Sequence, residues 1–144
     1  MKKEKKRKSA QLRCPYCGSI MDLRDAKQIC SGAKTGSKVY VCRNYPACNV
    51  YVNTRKGTAV PLGVPADSAL RKLRIDAHRA FDRLWKNGIM SRDTAYRWFA
   101  DYFGLRLGDA HIALCNEYQC RALIRASNQV VSNYRRVQGE EASL

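Results

Sequence analysis

Four cysteines are the residues of this chain whose type and spacing can do chemistry. Cys14-Pro15-Tyr16-Cys17-Gly18-Ser19 forms one short chelate and Cys42-Arg43-Asn44-Tyr45-Pro46-Ala47-Cys48 a second, with twenty-four residues between Cys17 and Cys42. A zinc ion takes four soft ligands at tetrahedral corners, and two chelating turns at the ends of β-hairpins supply them. In the first turn the backbone N–H groups can point at thiolate sulfur, and Gly18 can adopt the left-handed conformation that closes it. Pro46 stiffens the longer second turn. One structural zinc on Cys14, Cys17, Cys42 and Cys48 is therefore expected. Seven cysteines is an odd number, which weakens a purely disulfide-bonded reading, so the expected compartment is reducing and the expected location cytoplasmic.

Cys30, Cys115 and Cys120 are left over. His111-x3-Cys115-x4-Cys120 brings soft ligands near one another in sequence, but free cysteines serve more often as small core residues.

The metal turns need elements to hold them. Lys38-Val39-Tyr40-Val41 and Val50-Tyr51-Val52 are β-prone, yet too short for a self-sufficient sheet. Residues 11–58 thus read as a metal-stapled ribbon of short antiparallel strands. Residues 59–66, carrying Pro61, Gly63 and Pro65, read as a connector. From 67 to 137 the apolar spacing turns helical. Asp67 is the expected cap of a helix ending at Lys86, with Leu70, Leu73, Ala77, Phe81, Leu84 and Trp85 on its buried stripe. Ser91 and Gly104 bracket a second helix whose apolar face is Ala95, Trp98, Phe99, Tyr102 and Phe103. Asn116-x-x-Gln119 fits a capping box for a third, with Leu123, Ile124, Val130 and Val131 following. Trp85, Trp98, Phe99 and Phe103 are expected in the core. Residues 138–144 read as frayed. The fold class is small α+β: a four-cysteine ribbon followed by a three-helix unit.

The charge says what such a protein meets. Twenty-seven Lys and Arg against twelve Asp and Glu give a formal net charge of +15. An excess of this size favours a polyanionic partner, because basic surface gains affinity by releasing counterions from phosphates. Residues 1–10 open with Lys2-Lys3-Glu4-Lys5-Lys6-Arg7-Lys8 and read as a disordered basic tail. No apolar run of seven follows that tail and no 18-residue apolar stretch occurs, so neither a signal peptide nor a membrane span is expected.

In the ribbon, Tyr16, Tyr40, Tyr45 and Tyr51 interleave with Lys38, Arg43, Arg55 and Lys56. Aromatic platforms flanked by cations suit the unstacked bases of a single strand. Tyr40 is the expected core member, whereas Tyr45, on the chelating turn, is expected at the surface. Along the first helix Lys72, Arg79, Arg83 and Lys86 fall on one face, interrupted by Asp76. A solvated charged face is the ordinary explanation, and a phosphate-contacting stripe the functional one. Arg79 and Arg83 repel each other at a four-residue spacing unless an anion lies between them.

At these residues a family resemblance becomes specific. Residues 12–53, with Cys-Pro-Tyr-Cys-Gly-Ser and Cys-Arg-Asn-Tyr-Pro-Ala-Cys after the aromatic strand Val39-Tyr40-Val41, resemble the C-terminal zinc ribbons of bacterial type IA topoisomerases. The resemblance implies a ribbon that binds single-stranded DNA and carries no catalysis. The whole chain, including Pro61-Leu62-Gly63 and the helix with His78, Phe81, Asp82 and Trp85, is similar to a phage and bacterial family labelled as zinc-finger-containing. That similarity implies a fold, and a bacterial or phage-infected cell as the setting.

Catalysis is not expected. Four cysteines fill the coordination sphere of zinc and leave no position for a reactive water. His78 and Asp82 sit one helical turn apart, but such a pair is usually local, and no second catalytic group accompanies it. The expected partner is single-stranded DNA or RNA, or a nucleic-acid-bound protein. The alternative is a phage-type accessory or inhibitor protein that docks on a nucleic-acid-handling protein or ribonucleoprotein.

Overall fold

The computed structural model describes residues 11–140, and the basic tail and residues 141–144 lie outside them. The chain divides into two compact units that meet between Ser68 and Ala69.

The first unit is a three-stranded antiparallel sheet in the order β1 (Met21–Asp25), β2 (Lys38–Cys42), β3 (Tyr51–Asn53). Met21 faces Cys42 and Asp25 faces Lys38, while Val39 faces Asn53 and Val41 faces Tyr51. The central strand is apolar on both faces, as a strand covered on both sides must be. On one side Cys42 packs with Cys14, Met21 and Val50, against which Tyr40 and Leu12 lean. On the other, Val39 and Val41 pack with Ala26, flanked by Ile29, Ala33, Tyr45 and Tyr51.

Residues 59–66 do more than connect. Tyr51 and Ala66 exchange backbone hydrogen bonds of 3.2 Å in each direction, and the Leu62 N–H reaches the Asn53 carbonyl at 2.8 Å. This segment runs beside β3 as an irregular edge, and its prolines remove donors that an edge need not use.

The second unit contains α1 (Ser68–Lys86, whose first residue closes the ribbon unit), α2 (Arg92–Phe103) and α3 (Glu117–Arg135). Two 3-10 turns, Leu107–Asp109 and Ile112–Leu114, join α2 to α3, and a π turn, Arg136–Glu140, follows α3. The Ser91 hydroxyl accepts from the Thr94 N–H, and Gly104 closes α2 at φ +63°. Both bonds of the Asn116–Gln119 capping box are made, at 2.8 and 3.0 Å. Phe81, Leu84, Phe99 and Leu123 are fully buried in one cluster. Phe81 meets the Phe99 ring edge-on at 5.4 Å and Tyr96 at 5.0 Å.

Some apolar expectations are corrected. Tyr102 is 53% exposed, and Trp85, Trp98 and Phe103 are half-buried walls of the core, not its centre. Cys115 and Cys120 are buried core residues. They occupy the positions just before the Asn116 cap and four residues after it, where a hydrophobic staple fixes the entry of the chain into a helix. The Arg74 guanidinium pins the Cys115 carbonyl with two bonds of 3.0 and 2.9 Å. Hydrogen bonding to Cys120 and burial push the Cys115 thiol up, so it stays protonated.

Candidate metal centre and basic surfaces

Both chelating turns open onto one end of the sheet. In the first, the Gly18 N–H bonds the Cys14 carbonyl at 2.9 Å, with Gly18 at φ +75°, as the tight turn requires. The Cys14 N–H returns to the Ser19 carbonyl at 2.8 Å. In the second, Tyr45 N–H bonds Cys42 O at 2.9 Å and Cys48 N–H bonds Asn44 O at 3.0 Å, around a cis Tyr45–Pro46 peptide. The Asn44 amide ties the turns together by donating to Ser19 Oγ at 2.8 Å and to Cys17 Sγ at 3.7 Å.

The four Sγ atoms of Cys14, Cys17, Cys42 and Cys48 all lie within 4.8 Å of one another. Two of their separations are 3.7 Å (Cys14–Cys48) and 3.4 Å (Cys17–Cys42). A tetrahedral zinc with sulfur at about 2.3 Å requires sulfur–sulfur edges of about 3.8 Å, so the donor set fits the ion in chemistry and in size. Hydrogen bonds from Ser19, its side chain first and then its backbone, hold the Cys17 thiol down to about 6. Burial pushes Cys42 up to about 12 and raises Cys48. Metal binding at these sulfurs would displace to solvent the protons that burial favours on Cys42 and Cys48. Cys30 stands outside the cluster, its thiol 3.7 Å from the Tyr51 hydroxyl.

The other candidate residues fall in separate places: the ribbon turns, the far end of the sheet, and a concavity on α1 lined by Arg79, Arg83 and Lys86 together with Asp82. Tyr16 is 50% exposed on the first turn. Tyr45 is not a surface residue: it is half-buried against Ala26, Val39 and Val41, because the strand it follows has a second face to cover. Tyr40 is half-buried and donates its hydroxyl to the Ala59 carbonyl at 2.6 Å. Arg43 forks onto Asp22 with bonds of 3.0 and 3.3 Å, and this holds the Asp22 carboxyl below its usual range.

On α1, Lys72 and Arg79 are exposed, and Arg79, Arg83 and Lys86 share one concavity with His78 and Asp82. Arg83 is half-buried and donates to the side chain of Asn128 on α3. Lys86 pairs with Asp82 at 3.6 Å and lies over the Trp85 ring. Asp82 also receives the Trp85 indole N–H at 3.3 Å and faces His78 at 3.9 Å, a local cluster of the kind expected.

Lys38 and Lys56 are brought together. They line an open groove of about 960 Å³ at the end of the sheet away from the cysteines, and Lys34 joins them there. Thr35, Thr54 and Leu23 are also in its walls, and among the described residues no carboxylate lines it, although Asp25 is the strand partner of Lys38. Strand β2 spans the distance from this groove to the metal end, about 13 Å of extended chain. Arg55 is exposed in the neighbouring turn. Lys34 was missed in the sequence because it sits in the featureless insert between β1 and β2. A second omission is the solvent face of α3, where exposed Tyr118, Arg121, Arg125, Gln129 and Ser132 follow helical spacing, with Arg136 just beyond its end. Arg121 there is paired with Glu117 at 3.1 Å.

A three-stranded sheet whose hairpin ends carry four convergent cysteines, followed by three helices, defines a zinc-finger protein with a structural metal. Residues 10–130 match the family described as a zinc-finger-containing domain (DUF3268), and the chain belongs to that family. No curated protein and no solved structure matches it significantly. Among the described residues no helix is long and apolar enough to cross a membrane.

Proposed function

We propose that this zinc-finger protein binds nucleic acid through the phosphate backbone, with the zinc as a staple and not as a reagent. The observation that carries the reading is the groove of Lys34, Lys38 and Lys56, a concavity lined by no carboxylate among the described residues, in a chain of net charge +15. Such a lining recruits phosphates whatever the base sequence. Tyr16, exposed beside the metal, offers a stacking platform that favours unpaired bases, and the likeness to topoisomerase ribbons supports single-stranded DNA. Four thiolates leave zinc without an open position, so the protein acts by binding and not by hydrolysis. Free thiolate ligands suit a reducing bacterial or phage-infected cytoplasm.

The test is a salt titration of binding to a short single strand by the full zinc-loaded chain and by a Lys34→Ala, Lys38→Ala, Lys56→Ala variant. Removing three phosphate contacts lowers the slope of log affinity against log salt by about 2. An unchanged slope and affinity would refute the groove. A second reading has its own observation: Val60, Leu62 and Val64 are 54%, 52% and 41% exposed along the edge beside β3. An aliphatic ridge suits a protein partner of the accessory or inhibitor kind. Retention of one protein partner from nuclease-treated lysate, lost on Leu62→Asp, would establish that reading in place of the first.

A further inference from the structure

A separate concave site lies on the helical unit, between the first two turns of α2 and the segment 107–111. It is an open concavity of about 530 Å³ lined by Arg92, Asp93, Tyr96, Arg97, Leu107 and His111, among others. That volume is within the range of small-ligand sites. The three-helix core does not need these polar groups.

The charged groups are placed but not neutralised. The Arg92 guanidinium lies 4.8 Å from the centre of the Tyr96 ring and 5.6 Å from that of Trp85. Tyr96 is itself fixed edge-on against Phe81 at 5.0 Å. Cation–π packing therefore holds Arg92 without consuming its hydrogen-bond donors. Among the described residues, Arg92, Asp93, Arg97 and His111 form no ion pair with one another or with any other group. Two guanidiniums and an imidazole thus converge on one cavity against a single carboxylate.

We propose that this cavity binds one nucleotide unit, with its phosphate on Arg92, Arg97 and His111. Guanidinium forks match phosphate oxygens in geometry and charge. Asp93 is an acceptor suited to a sugar hydroxyl or a base amino group, which makes a nucleotide a better fit than bare phosphate. Leu107, 53% exposed, gives the base an apolar rim. The same chemistry is offered by a free mononucleotide and by the 5′-phosphorylated end of a strand.

The experiment titrates the full zinc-loaded chain with inorganic phosphate, with a 5′-mononucleotide, and with a short strand carrying either a 5′-phosphate or a 5′-hydroxyl. Calorimetry reads affinity, and NMR amide shifts at Gly108 read location. The mononucleotide is expected to bind more tightly than phosphate and to shift Gly108. Arg97→Ala and His111→Ala, both at exposed positions, are each expected to weaken it about tenfold, the value of a charge-assisted hydrogen bond. A preference for the 5′-phosphorylated strand that disappears in Arg97→Ala assigns the site to strand ends. Mononucleotide binding without that preference assigns it to free nucleotides. Failure of phosphate, mononucleotide and strand end alike to move Gly108 overturns the proposal. The ribbon lysine variant serves as the separating control. If it abolishes strand binding while the mononucleotide never binds, this site falls and the ribbon groove stands.

Discussion

The two units are folded by different forces. The helical unit owns a contiguous core of aromatic and aliphatic side chains, with Phe81, Phe99, Leu84 and Leu123 fully buried. The ribbon splits a handful of small side chains between two faces of a three-stranded sheet, and two of the buried residues on one face are the ligands Cys14 and Cys42. A cluster that size cannot offset the conformational entropy of ordering its loops. The metal therefore stands where a core would otherwise be needed, and charge and groove are free to occupy the surface. In the helical unit Arg74, Arg83 and Lys86 are drawn into bonds within its own structure, and Arg92 and Arg97 are left at the surface around a second concavity.

If that contrast is right, metal removal separates the units. Structural zinc binding is worth about 10–16 kcal/mol at neutral pH, more than a small ribbon can spare. Cys42→Ser, or chelation, should unfold the ribbon and leave most of the helical circular dichroism in place. Metal analysis should read one zinc per wild-type chain and none in the variant, while Cys30→Ser keeps full zinc. Full zinc in Cys42→Ser would break the ligand assignment, and loss of the helices on chelation would break the comparison.

The complementary change sits in the other unit. Phe81→Ala opens a cavity at the meeting point of Phe99, Tyr96 and Trp98, at a cost of about 3–5 kcal/mol. Denaturant unfolding followed by tryptophan fluorescence measures that loss, since Trp85 and Trp98 both border the core. Zinc stoichiometry should not move.

The ligand set, the three helices and the caps of α2 and α3 were legible because each rests on local chemistry: a chelate spacing, an N-cap, a left-handed glycine. What the sequence hid depends on tertiary placement. Tyr45 reads as a turn residue until the second face of β2 needs covering. Arg43 reads as a free cation until the β1–β2 pairing sets Asp22 diagonal to it. Arg83 shares a face with Arg79 by helical spacing, yet α3 borders that face and supplies Asn128. Lys34 shows no spacing signal at all. It joins Lys38 and Lys56 because two loops end at the same edge of the sheet.

The smallest effect concerns the pair that keeps Arg43 from the ribbon's free cations. Both partners are well exposed, at 58% and 40%, so solvent screens most of their attraction. The hydrogen bond from Arg43 lowers the Asp22 pKa below 3.8. A depressed acid contributes stability that is present above its unfolded pKa and lost as pH falls through its folded one. That window lies below about pH 4, where protons have already displaced zinc from the thiolates, so the pair leaves no separate mark on acid unfolding. Its effect belongs at neutral pH. Asp22→Asn should lower the ribbon's melting temperature slightly at low salt, with the difference vanishing near 1 M. It should also release Arg43 and add one unit of positive charge. Single-strand affinity should then rise by a few-fold, with the salt slope steeper by about 0.7. A loss of affinity in Asp22→Asn would mean that Arg43 has to be held on Asp22 to act, and that the ribbon's cations work by placement more than by number.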